Sequence, residues 1–137
     1  TARPDRDAGH MGRDQIKFIE NNIAKDRLNV LVMHHHLIPV PDTGLEAAIA
    51  EDAGDVLKML SKVNPELVLS GHRHRPWSWK LNDINFFFSG AISTIRLRGF
   101  FENSYNVIQI ENGKISPQLK IVGGDFIDFN KLTRNQQ

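Results

Sequence analysis

Residues 28–33 are nearly all apolar, the pattern of a strand covered on both faces, and residues 66–69 indicate a second short buried strand. Between them, apolar residues recur at helical spacing until Pro65, which ends the predicted helix. Residues 28–70 therefore predict strand, helix and strand, a βαβ unit whose strands lie parallel and adjacent with a right-handed crossover. The apolar face of the helix consists of Val56, Leu57, Leu60 and Val63.

The pattern also places the rest of the chain around this unit. Residues 11–25 favour an amphipathic helix packed on the sheet, and residues 1–9 and 35–45 favour loops. After Pro76, short runs rich in β-branched and aromatic residues alternate with turn signals, which predicts a mainly antiparallel strand run in an α/β (α+β) fold. A flexible tail is expected at residues 131–137. The predicted later strands are residues 77–81, 84–88, 91–97, 105–111 and 114–122.

Histidines follow both strands of the predicted βαβ unit. His34, His35 and His36 come after the first strand, and His72 and His74 come after the second. The carboxyl ends of adjacent parallel strands meet at one edge of the sheet, where open α/β sheets bind their ligands. Neutral imidazole is a good ligand for Zn, Mn, Fe or Ni. We therefore expect the two groups of histidines to form one metal site.

The histidines do not all have the same expected role. Side chains on extended backbone alternate in direction, so His34, the first residue past the strand, is the expected ligand. His35 either faces the substrate or hydrogen-bonds behind the ligands, His36 is expected in the loop, and His10 is expected at the surface. Four arginines either bind phosphate oxygens or are solvated charges, and solvated charge is favoured for the last two. They are Arg73, Arg75, Arg96 and Arg98.

Composition further restricts the kinds of binding site that the chain can form. The 137 residues suffice for one domain, and the absence of cysteine excludes disulfides and thiolate sites, so nitrogen and oxygen must hold any metal. Seventeen basic against sixteen acidic residues give a net charge of +1 and no electrostatic indication of nucleic-acid binding. No apolar run approaches the length of about 20 residues that spans a bilayer, and we expect no membrane partner and a cytoplasmic location.

The motifs resemble those of the calcineurin-like metallophosphoesterases. Residues 32–36 with the Pro-rich loop after them, and residues 69–74, are similar to the last two motifs of that family, and the triple histidine is most similar to its cyclic-nucleotide phosphodiesterase branch. The resemblance covers about residues 9–122. It implies a β-sandwich flanked by helices, of which residues 1–130 would be the C-terminal part.

The resemblance also implies a centre of two divalent or trivalent ions, Mn, Fe or Zn, that hydrolyses a phosphoester substrate as a phosphodiesterase or phosphatase. By matching position, His34 and His72 would bind one ion and His74 the other. The family's earlier motifs, an Asp-x-His, a Gly-Asp pair and a Gly-Asn-His, are absent from this sequence. They supply a bridging carboxylate, an Asn ligand and the His that assists the leaving group, so no catalytic residue is assigned in this chain.

Three expectations follow from the missing motifs. The chain alone should be inactive and should bind metal weakly. It should also expose an incomplete sheet, because the missing half would supply the neighbours and the second layer of the strand at residues 28–33, and it should therefore self-associate or dock onto an N-terminal complementing segment. The alternative is a non-catalytic metal-binding or interaction fragment, which needs a partner chain for the missing ligands.

Overall fold

The computed structural model describes residues 8–43, 49–98 and 102–134. Within these ranges four strands form a mixed sheet in the order β1-β2-β4-β3, and three form an antiparallel sheet in the order β5-β6-β7. The predicted βαβ unit followed by a mainly antiparallel strand run is confirmed. The elements are α1 (Arg13–Asn22), β1 (Val30–Val32), α2 (Ala53–Val63), β2 (Leu67–Ser70), β3 (Trp77–Leu81), β4 (Ile84–Phe88), β5 (Ser104–Glu111), β6 (Lys114–Ile121), β7 (Phe126–Asp128) and α3 (Phe129–Arg134).

Local features of the sequence account for the strands and the helix of the βαβ unit. Strands β1 and β2 pair in parallel, with Val32 opposite Leu69, and β2 pairs in parallel with β4. Helix α2 ends at Asn64, which adopts the left-handed conformation and donates its N–H to the Leu60 carbonyl at 2.7 Å. Pro65 follows and cannot continue the helix. The crossover therefore returns the chain to the sheet beside β1.

One face of the four-stranded sheet is covered along β2 and β4, and it is called the loop-covered face below. It carries Val68, Phe86 and Phe88, each 1% exposed. The loop after β1 lies against it, and the indole N–H of Trp79 donates to the Pro39 carbonyl at 2.8 Å. This face therefore holds much of the hydrophobic core.

The other face of this sheet, called the open face below, carries Val32, Leu69 and Phe87. Phe87 is 6% exposed and packs against Phe129 of α3, with ring centroids 5.5 Å apart. Val32 is 71% exposed. The second sheet and α3 thus cover this face near β4 and leave it open near β1. The apolar pattern of residues 28–33 suits a strand covered on both faces, but within the described residues the side of the strand that carries Val32 has no such cover.

Residues 91–98 form loop where the sequence predicts a strand. Their polar backbone groups bond to side chains of other loops, because the Thr94 N–H donates to Asn103 Oδ1 at 3.0 Å and the Arg96 carbonyl lies 3.0 Å from His74 Nδ1. These hydrogen bonds satisfy backbone groups that would otherwise have to pair with a neighbouring strand.

Strand β7 and helix α3 were not predicted from the sequence. Helix α3 buries Phe129 and Leu132, three residues apart on one side of the helix. The stretch predicted as a flexible tail, residues 131–137, therefore begins inside a helix, and residues 135–137 lie outside the described ranges. No helix in the described part of the chain is long and apolar enough to cross a membrane.

Candidate metal centre

Backbone hydrogen bonds extend the pairing of β1 and β2 and bring the two histidine motifs together. The Met33 N–H donates to the Leu69 carbonyl at 2.9 Å, and the Gly71 N–H donates to the His34 carbonyl at 3.1 Å. His34 is therefore fixed beside Gly71, and His72 follows directly. Both motifs lie at the carboxyl end of the two parallel strands, at one edge of the sheet.

Three histidine rings converge at this edge and are called the histidine cluster below: His34, His35 and His72. Nε2 of His34 lies 3.1 Å from Nδ1 of His72, and one ring nitrogen from each of the three residues lies within 4.8 Å of the others. Two imidazoles on one tetrahedral ion, at bonds of about 2.0–2.1 Å, have their nitrogens roughly 3.3 Å apart. The spacing of His34 and His72 therefore fits a shared ion.

The turn that carries the second motif has unusual backbone geometry. His72 and His74 both lie in the left-handed region, with φ of 72° and 56°. For residues other than glycine this conformation costs on the order of 1–3 kcal/mol, and it concentrates at functional sites. Between them, the Arg73 N–H donates to the Gly71 carbonyl at 2.9 Å and tightens the turn. The strained turn is what orients the two imidazoles.

His35 joins the cluster because a glycine far along the chain makes room for it. A Cβ on Gly9 would lie 2.3 Å from His35 Nδ1, so any side chain at position 9 would displace the ring. The ring centroids of His35 and His72 are 4.4 Å apart. The sequence predicts His35 to be either a substrate contact or a hydrogen-bonding residue behind the ligands. It does not predict that His35 supplies the third ring nitrogen of the cluster.

His36 lies in the loop after β1, as predicted, but in the protein interior. It is 2% exposed, and its Nδ1 has no hydrogen-bond partner among the described residues. Burial lowers the pKa of His36 to about 4, helped by repulsion from His72, Arg73 and His35. It is therefore a neutral core imidazole at pH 7.

His74 is not part of the histidine cluster. Its Nδ1 lies 3.0 Å from the Arg96 carbonyl oxygen, which can only accept, so Nδ1 carries the proton and Nε2 is the acceptor. Histidines that bind metals commonly donate their other N–H in this way. His74 shares a cavity of about 220 Å³ with two members of the cluster, His34 and His72, and with arginines.

Arg75 holds the loop after β1 against the second histidine turn. It is buried, its Nη2 lies 3.1 Å from the Asp42 carboxylate, and its guanidinium stands 5.1 Å above the centre of the Trp77 ring. Burial lowers the pKa of Arg75, and Asp42 partly opposes that shift. This arginine therefore ties loops together inside the protein. His10, by contrast, is at the surface as predicted, 3.6 Å from Asp52.

Comparison with known proteins identifies a relative that spans nearly the whole chain. No family model matches the sequence. A probable cyclic nucleotide phosphodiesterase of Xenorhabdus bovienii is 28% identical over 126 residues, which are 90% of this chain and 46% of that protein. The chain thus spans about half the length of this curated relative. The predicted resemblance to the calcineurin-like metallophosphoesterases, and to their cyclic-nucleotide branch, is confirmed by this relative.

Solved structures show weaker likenesses. A predicted phosphoesterase from Streptococcus pneumoniae is 22% identical with a TM-score of 0.45, over 53% of this chain and 41% of that one. A single-residue variant of Vps29 from Entamoeba histolytica is 16% identical with a TM-score of 0.46, over 72% and 55% of the two chains. Wild-type Vps29 in complex with Zn²⁺ has a TM-score of 0.45. With TM-scores below 0.5, none of these likenesses bears on the site.

Proposed function

We propose that this chain carries the histidine half of the metal centre of a phosphoester hydrolase. The observation that carries the proposal is the histidine cluster, whose three ring nitrogens lie within 4.8 Å of one another at the carboxyl end of two parallel strands. Imidazole suits Zn and Fe, and this donor set of neutral nitrogens fits one such ion. The relative from Xenorhabdus, named a probable cyclic nucleotide phosphodiesterase, supports a phosphoester as the substrate.

His74 would serve a second ion. Its Nδ1–H is held by the Arg96 carbonyl, which orients the ring and leaves Nε2 available as a ligand atom. Bound metal ions supply Lewis-acid stabilisation of the charge on a phosphoryl group. His34, His72 and His74 would hold the ions, because the paired ends of β1 and β2 fix His34 and His72 and the strained turn fixes His74.

Neutral histidines alone leave the charge of a metal ion uncompensated, so this chain should bind metal weakly. Many catalytic zinc and iron sites combine histidines with a carboxylate, which balances part of this charge. We expect those ligands from polypeptide beyond the 137 residues, since the relative is about twice as long as the region it shares with this chain. The second candidate function, a non-catalytic metal-binding or interaction fragment, shares this cluster and the need for a partner's ligands but differs in catalysing no reaction.

The open face supports a complementing segment as the partner. Strand β1 is the edge of its sheet, and Val30 and Val32 are exposed there. A mostly apolar cavity of about 680 Å³ lies between this face and the second sheet. An unpaired edge beside an apolar surface normally pairs with another strand. Lining residues include Val32, Leu69, Phe87, Ile92, Tyr105 and Ile108.

Hydrolysis of an aryl phosphodiester with Mn²⁺ tests the proposal. We expect negligible turnover by the chain alone and metal-dependent turnover once the unmatched half of the Xenorhabdus relative is added. The His72→Ala variant should lose this turnover, and the His10→Ala variant, changed at a surface histidine outside the cluster, should keep it. Metal binding without turnover in the presence of the added half would favour the non-catalytic alternative.

A further inference from the structure

Residues 50–52, called the 50–52 segment below, hydrogen-bond to two parts of the chain that lie at the histidine cluster. The Ala50 N–H donates to the His36 carbonyl at 3.1 Å, and the Glu51 N–H donates to the Gly9 carbonyl at 2.7 Å. The first bond holds the histidine run after β1, and the second holds the loop before α1. The 50–52 segment therefore joins these two parts of the chain.

The side chain of Asp52 adds two more bonds to the loop before α1. Its carboxylate, which is 10% exposed, accepts the N–H of Met11 at 3.0 Å and that of Gly12 at 2.8 Å. Asp52 is the N-cap residue of α2, where an Asp side chain usually accepts an N–H of its own helix. Within the described residues, however, its side chain caps no N–H of α2. Its carboxylate therefore fixes the loop before α1 instead of the helix that it begins.

The loop that Glu51 and Asp52 hold contacts the ring of His35. A Cβ on Gly9 would lie 2.3 Å from His35 Nδ1 and 2.4 Å from its Cγ, so the ring packs directly on the Gly9 backbone. The ring centroids of His35 and His72 are 4.4 Å apart. Because close packing leaves a side chain few alternative positions, the place of Gly9 determines whether His35 can reach the cluster.

We propose that Asp52 is a positioning residue for the metal centre and that it acts through Gly9 on the ring of His35. The inference rests on the proposed function only for the metal ion, because the contacts from Asp52 to the cluster belong to the chain itself. Without the Asp52 carboxylate, two backbone N–H groups lose their acceptor and the loop before α1 is free to shift. The His35 ring would then move with it and leave His34 and His72 without the third nitrogen donor.

Asp52 acts through another residue rather than as a ligand. Each of its two carboxylate oxygens already accepts a backbone N–H. Among the described residues, the side chains that could share an ion are His34, His35 and His72, and Asp52 is not one of them. An effect of Asp52 on metal affinity therefore has to pass through one of these histidines, and the contact with Gly9 points to His35.

Nuclear magnetic resonance of the whole metal-free chain tests the connection from Asp52 to His35. In Asp52→Asn only the amide oxygen can accept, so one of the two backbone N–H groups faces an NH₂ group. We expect the Cε1–H signal of His35 to shift. The matched control is Asp55→Asn, which removes the same charge at an exposed position in the first turn of α2 and should leave that signal unchanged.

Calorimetric titration of Zn²⁺ tests whether Asp52 acts through His35. We expect Asp52→Asn to weaken Zn²⁺ binding about threefold or more in the wild type and to have no further effect in the His35→Ala variant, because the two residues would act as one unit. Gly9→Ala leaves Asp52 in place and displaces the His35 ring directly. It should weaken binding as much as His35→Ala does, so it decides the matter even if Asp52→Asn unfolds.

Three results would overturn the inference. One is an unchanged His35 signal in Asp52→Asn. The others, in a chain that binds Zn²⁺, are an equal loss of affinity in the wild-type and His35→Ala backgrounds and an unchanged affinity in Gly9→Ala. A chain that binds no Zn²⁺ but whose His35 signal shifts in Asp52→Asn would refute the proposed function and leave the positioning of the ring standing.

Discussion

The two faces of the four-stranded sheet carry similarly apolar residues but differ in cover. On the loop-covered face, Val68 and Phe86 are 1% exposed, whereas Val32 on the open face is 71% exposed. An apolar strand pattern shows which contacts a strand is suited to make, and within the described residues Val32 makes few of them. The uncovered part of the open face is next to β1, the strand that delivers His34, so the surface proposed for docking adjoins the histidine cluster.

The Phe86→Ala variant should cause the largest loss of stability, because it opens a cavity in the loop-covered face. We expect it to lower the free energy of unfolding by about 3–5 kcal/mol. Urea unfolding followed by circular dichroism measures this loss. A loss below about 1 kcal/mol would show that this face is loosely packed and would remove the contrast between the two faces.

A smaller loss of stability is expected from substitution of Asp52, whose side chain joins α1 to α2. Its carboxylate accepts the N–H of Met11 at 3.0 Å and of Gly12 at 2.8 Å. Burial raises the pKa of Asp52, but these backbone donors outweigh it, so the pKa is lowered overall. We expect Asp52→Asn to cost about 1–2 kcal/mol near neutral pH.

The pH dependence of this loss follows from the direction of the shift. A lowered pKa in the folded state stabilises the protein above the unfolded value of about 3.9, and the contribution fades as the pH falls through the folded pKa. The difference in unfolding free energy between wild type and Asp52→Asn should therefore shrink in acid. A difference that is constant from neutral pH to strong acid would argue against the two backbone hydrogen bonds.

The smallest effect on stability is expected on the open face. The Val32→Lys variant should change the free energy of unfolding by no more than about 0.5 kcal/mol, because this side chain is mostly exposed. It should nevertheless weaken binding of the complementing segment, or self-association of the chain, as seen by light scattering. A loss of stability as large as that of Phe86→Ala would mean that Val32 is already covered.

The sequence was sufficient for the βαβ unit and for the approach of His34 to His72. Both follow from local patterns, because the helix stop at Pro65 and the apolar strands determine a parallel pair with a common carboxyl end. The same patterns could not show which face of β1 is covered. Whether a face of β1 is buried depends on elements far away in the sequence. The apolar residues at positions 30 and 32 give the same sequence pattern whether or not another element packs on them.

Other features that the sequence did not predict also depend on contacts between residues far apart in the chain. His35 enters the cluster because Gly9, in the loop before α1, leaves space for its ring. Residues 91–98 have the composition of a strand, but Asn103 and His74 occupy their backbone groups. Helix α3 has a polar sequence and is stabilised through Phe129, which packs on Phe87 of the other sheet.

Metal titration of the purified chain by calorimetry, with Zn²⁺ or Mn²⁺, tests the histidine cluster most directly. We expect weak binding that falls as the pH drops from about 7.5 to 5.5, because protons compete for imidazole ligands. His34→Ala and His72→Ala should each weaken binding at least about tenfold, since each removes a ligand, while His10→Ala should leave it unchanged. Wild-type affinity in both cluster variants, or tight binding that persists at the lower pH, would contradict a metal site made of these histidines.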